Sequence, residues 1–73
     1  MKRIIEIQKT PTNELKKGDL FLLWADEDLA ELRKVVDFPT NGIFSYKSLK
    51  HTKKWEMERD ANGYVFKIIK QRG

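Results

Sequence analysis

Between Tyr46 and Trp55 the chain reads Tyr-Lys-Ser-Leu-Lys-His-Thr-Lys-Lys-Trp, which sets Lys47, Lys50, Lys53, Lys54 and the single histidine, His51, between two aromatics. Lysine ammonium groups attract phosphates and exposed aromatic rings stack on bases, so the pattern points to a nucleic-acid-binding surface at residues 47–54. Lys67, Lys70 and Arg72 extend the charge toward the C-terminus. Residues 1–44 carry seven Lys and Arg against eight Asp and Glu, whereas residues 45–73 carry eight against three. Such asymmetry marks a polyanion-facing side. The plainer reading is that lysines keep a small β-protein soluble and its strand edges unpaired.

Catalytic arrangements fare worse. There is no cysteine, so neither a Cys–His nucleophile pair nor a thiolate metal site can be assembled, and any triad would need His51 as its base. Ser45 and Ser48 are near His51 in sequence but lack a nucleophile elbow or an oxyanion turn. Asp26-Glu27-Asp28 lacks the alternating Asp spacing and glycine of a calcium loop and reads as a polar loop tip or a helix start. The expectation is a non-enzymatic protein without metal or cofactor.

A second function class competes with the first. Phe21, Trp24 and Phe38, flanked by the acidic Asp26 and Asp28, would suit a protein-binding adaptor or inhibitor, since interface hot spots favour aromatics. Self-association as a homo-oligomer through the same apolar surface is a variant, because a 73-residue chain gains stability by covering apolar area.

The elements that must position these residues read as β-structure in a single small domain, 1–73. Residues 2–9 alternate Ile5 and Ile7 with Glu6 and Gln8, the period of a half-buried edge strand, and Thr10-Pro11-Thr12-Asn13 breaks it. Lys16-Lys17-Gly18-Asp19 turns the chain into Leu20–Trp24, an apolar run that needs cover on both faces and so reads as a central strand, with Trp24 or Phe21 partly exposed. Residues 25–38 carry two patterns. As a helix, Asp28 caps it, with Leu29, Leu32 and Val36 on one face. As a sheet element, Leu32–Phe38 is a strand, favoured by Val35-Val36 and by the need of the Leu20 run for a neighbour. We take the strand, keeping one short helix around residues 27–36 as the alternative.

Asn41-Gly42 and Asn62-Gly63 are two hairpin signals, because Asn-Gly readily supplies the positive φ of a tight turn. The second predicts a closing hairpin over residues 53–70. In its register Met57 faces Ile68 and Arg59 faces Phe66, so that Trp55, Met57, Tyr64, Phe66 and Ile68 share the core face. That parity buries Trp55 and leaves Tyr46 to stack.

The order Leu15-Lys16-Lys17-Gly18-Asp19, apolar strand, polar loop, Arg33-Lys34-Val35-Val36, Asn41-Gly42 and hairpin resembles the small SH3-like β-barrels over residues 15–69. The resemblance rests on turn placement and strand spacing. It implies an all-β, five-stranded, partly open barrel and no particular function, since such barrels serve many roles. The absence of cysteine fits a cytoplasmic setting. No apolar run reaches the length of a membrane span, so no membrane partner is expected.

Overall fold

The structure, a computed structural model, describes residues 4–51 and 53–72. Six strands form one antiparallel sheet: β1 Ile4–Pro11, β2 Leu20–Leu22, β3 Arg33–Thr40, β4 Ile43–Ser48, β5 Lys54–Glu58 and β6 Tyr64–Arg72. Their spatial order is β1-β6-β2-β3-β4-β5, so β1 and β5 are the two edges and the sheet does not close into a barrel. Two single turns of 3-10 helix, Thr12–Glu14 and Leu29–Glu31, are the helical elements among the described residues. Neither could cross a membrane.

Cross-strand partners share a face, and the register therefore sorts the side chains. Phe21 lies opposite Arg33 and Lys67, Val35 opposite Tyr46, Tyr46 opposite Trp55, Phe44 opposite Met57, and Thr10 opposite Val65. This is the inner face. Leu15, Phe21, Val35, Phe44, Tyr46 and Val65 form its buried core, with Leu23, Phe38, Trp55 and Met57 packed partly against it. Phe21 meets Phe44 and Tyr46 edge-on at 6.0 and 5.4 Å between ring centroids, a geometry that sets the positive ring edge against the negative ring face. Among the described residues no long helix covers this face, so the sheet must bend over itself. Register shifts at Glu6/Ile7, Val35/Asp37 and Asp37/Thr40 supply the irregularities that bend strands.

The all-β class holds, with six strands where five were expected. Leu32–Phe38 is largely extended, as β3. The helical alternative survives only as one 3-10 turn, in which Asp28 Oδ1 accepts the Ala30 N–H and the Asp28 carbonyl accepts the Glu31 N–H. β2 is central and buried on both faces, with Phe21 at 0% and Leu22 at 3% exposure. A hairpin at Asn41-Gly42 joins β3 to β4, but without the positive φ expected of an Asn-Gly turn. β1 is an edge as expected but runs through Thr10 to Pro11. Proline fits this position because an edge strand leaves one side of its backbone unpaired.

The expected closing hairpin does not form. β5 pairs with β4, while β6 pairs with β1 and β2, so Asn62-Gly63 is not a tight turn between neighbours. Gly18 (φ 94°) is the one described residue with positive φ, whereas a primed turn at Asn62-Gly63 would need positive φ there as well. The segment after β5 instead docks on Thr12. Asp60 N–H donates to Thr12 Oγ1 (2.8 Å), that hydroxyl donates to the Asp60 carbonyl (3.1 Å), and Thr12 N–H donates to the Gly63 carbonyl (2.9 Å). Asp60 Oδ1 closes a local turn by accepting the Asn62 N–H. The consequence is a change of face: Val65 enters the core, and Phe66, paired with Lys9 and Leu22, lies half-buried on the outer side.

Candidate nucleic-acid interface

β3, β4 and β5 are consecutive neighbours, and their register sets Lys34 opposite Lys47 and Lys47 opposite Lys54. Three exposed lysines thus form one row across the outer face. Adjacent strands lie roughly 4.8 Å apart, so the row spans about 10 Å. Like charges directly opposite each other on a sheet are destabilising. Among the described residues the ion pairs are Arg33–Glu27 (2.8 Å) and Lys67–Asp19 (3.5 Å), and neither involves the row. On the side of the row nearer the β3–β4 turn, Asp37, Ser45 and Glu56 are mutually opposite, so the lysine field meets two carboxylates there.

Lys50 and His51 are exposed in the connection from β4 to β5, where Ser48 Oγ accepts the Lys50 N–H at 3.1 Å. That bond gives Ser48 a turn-forming role, and Ser45 is buried within β4. Lys53 is exposed on the other side of the strand, with its ammonium 5.7 Å from the Trp55 ring. Trp55 is half-buried and stacked on Tyr46 at 5.8 Å with a 21° interplanar angle. Tyr46 itself, expected as a stacking residue, is a core side chain at 8% exposure. Its alternation with Lys47 along β4 turns the ring inward wherever the lysine faces water. The extension through Lys67 also fails, because Lys67 is half-buried and paired with Asp19. The Lys70 and Arg72 side chains lie outside the described residues.

His51 borders an open cleft of about 360 Å³ with Leu23, Glu31, Arg33, Ser48 and Trp55. The cation in this cleft is already satisfied: Arg33 Nη1 donates to Glu27 Oε1 (2.8 Å) and to the Glu31 carbonyl (2.9 Å). Glu27 Oε1 also accepts the Leu23 N–H at 2.9 Å, so the central member of the acidic triplet serves the β2–β3 loop.

The residues proposed for protein binding are separated. Phe21 is fully buried, and Phe38 is half-buried beneath the Arg59 guanidinium at 4.8 Å. Asp26 and Asp28 are exposed, the latter engaged with the Ala30 N–H. Trp24 is 65% exposed and lines a mostly apolar cleft of about 430 Å³ with Leu23, Met57, Tyr64 and Val65. Sequence reasoning missed Lys34 and Tyr64. Lys34 lies far from the 47–54 segment along the chain, and only the β3–β4 register joins it to the row; Tyr64 was assigned to the core by the hairpin parity.

Comparison with known protein families, with curated proteins and with solved structures finds no match for this chain.

Proposed function

We propose that this chain is a small non-enzymatic module that binds the phosphate backbone of nucleic acid without reading its sequence. The carrying observation is the three-strand row Lys34–Lys47–Lys54, three like charges held in register with no counter-charge among the described ion pairs. A duplex presents one charge per roughly 1.7 Å of axis, so about six phosphates fall within the span of the row. Lys50 and His51, exposed in the β4–β5 connection, add reach, whereas Lys53 lies on the opposite side over Trp55. The setting is cytoplasmic, in keeping with a chain that has no cysteine, and turn placement and strand spacing along the sequence resemble those of small SH3-like barrels.

With three phosphates neutralised, the slope of log affinity against log salt is about −2.7 on duplex DNA and about −2.1 on a single strand. Replacing Lys34 and Lys47 together by alanine reduces the duplex slope by about 1.8 while random sequences of equal length remain equivalent ligands. Absence of any salt-dependent binding to DNA or RNA at low ionic strength overturns the proposal.

One observation favours a second reading, protein binding through Trp24. Its indole is the most exposed large apolar side chain among the described residues and lines the same cleft as Tyr64 and Met57. Trp24→Ala should then abolish capture of a protein target and leave nucleic-acid affinity unchanged.

A further inference from the structure

The two edges of the sheet differ in how they are defended. β1 carries a register shift at Glu6/Ile7 and ends in Pro11, both of which obstruct pairing with another strand. β5 has neither: Lys54-Trp55-Glu56-Met57-Glu58 pairs with β4 in unbroken register. Arg59 continues that register by donating its N–H to the Gly42 carbonyl at 2.8 Å. In an antiparallel ladder, hydrogen-bonded pairs alternate with non-bonded ones. Trp55 and Met57, in step with Arg59, therefore direct their amides to β4. Lys54, Glu56 and Glu58 direct theirs to the open edge.

We propose that β5 is a self-complementary edge through which two copies of this chain pair antiparallel about Glu56. Reversed upon itself, the strand sets Lys54 opposite Glu58 of the second copy and Glu58 opposite its Lys54. Trp55 and Met57 meet Met57 and Trp55 on the inner face. All three outward-facing residues are then in hydrogen-bonded positions, giving about six interstrand bonds. Opposite charges and an aromatic beside an apolar residue are favourable cross-strand pairs, and the one unfavourable pair is Glu56 against its own copy. Trp55 and Met57 are half-buried in the single chain, so pairing also covers apolar surface. Met57 lines the cleft beneath Trp24, and Trp55 of the second copy arrives beside it.

Lys54 serves both this pairing and the lysine row, so the association is measured without nucleic acid and at low salt. Sedimentation equilibrium of the full chain from micromolar to millimolar concentration should show the mass doubling. Lys54→Glu and Glu58→Lys each weaken the dimer by about tenfold, because symmetry changes two pairs at once. The double variant restores wild-type affinity, since each glutamate again meets a lysine. Glu56→Pro removes an outward amide that β4 does not use, so it leaves the monomer's circular dichroism intact and abolishes the dimer. A wild-type chain that stays monomeric throughout overturns the proposal. So does a folded Glu56→Pro variant that still dimerises, or a double variant no tighter than the singles. If Glu56→Pro does not fold, the charge exchange at the two exposed positions decides.

Discussion

Lys47 sits between Lys34 and Lys54, so it meets a like charge on both sides. A row kept only for solubility would have no reason to stand in register, where cross-strand repulsion of roughly 0.2–1 kcal/mol per pair opposes folding. Lys47→Thr tests this opposition directly. Relief of two repulsive pairs and the higher β propensity of threonine should raise the melting temperature by about 4 °C or more, because roughly 1 kcal/mol moves a domain of this size that far. The same change should weaken binding to duplex DNA and reduce the salt slope by about 0.9. Thermal melts and a salt titration on one pair of proteins check both. A fall in stability, or unchanged binding, would remove Lys47 from the interface. The lysines in 47–54 were legible as charges. Their alignment with Lys34 was not, because a charge run along the chain says nothing of what lies across the strand.

Each strand repeats its side chains with period two, and that repeat was readable along β1, β5 and β6. Which of the two sets faces inward is decided by the neighbours. In β6 the neighbours are β1 and β2, and the inward set contains Val65 while Phe66 stays half-buried outside. Two phenylalanines in one protein therefore separate the effects of burial. Phe44, at 0% exposure and in edge contact with Phe21, leaves a cavity when cut back, so Phe44→Ala should cost about 3–5 kcal/mol. That is a large fraction of a small domain's stability, and the variant should be largely unfolded. Phe66→Ala should cost less, about 1–2 kcal/mol, because part of its ring is in water in the folded state. Urea denaturation of the two variants ranks them, and an equal or larger loss at Phe66 would contradict the assignment of faces.

The sheet depends on a connection from the β5 edge back across to β6, and two side chains hold it: Arg59, whose Nη2 donates to the Asn13 carbonyl at 2.6 Å, and Thr12. The Thr12 hydroxyl donates to the Asp60 carbonyl and accepts the Asp60 N–H across a separation of 48 residues, with the Thr12 backbone bonded to Gly63. Thr12 is 3% exposed, so these bonds are shielded from water. Thr12→Val keeps shape and volume but leaves the Asp60 amide without its partner, a loss of about 1–3 kcal/mol. Thr12→Ser keeps the hydroxyl and should lose much less. Amide exchange should show the Asp60 N–H unprotected in the valine variant and protected in the serine variant.

Residue order alone was enough for much of this protein. An apolar run too short for an ordinary helix, β-branched pairs, proline and Asn-Gly punctuation and a basic second half specified short strands, a central β2, the β3–β4 hairpin and the all-β class, because these signals act over a few neighbouring residues. Tertiary structure decided the partner of β6. Asn62-Gly63 is compatible with a tight turn, yet a hairpin there would displace either β1 or β2 from β6, and both neighbours come from the far end of the chain. Once β6 joins β1 and β2, β5 is left as an open edge and Val65 replaces Phe66 in the core, while the β3–β4–β5 register turns Tyr46 inward between Val35 and Trp55. Lys34, Lys47 and Lys54 come into line for the same reason: residues facing each other across a sheet are matched by strand register, which long-range pairing sets and local order does not.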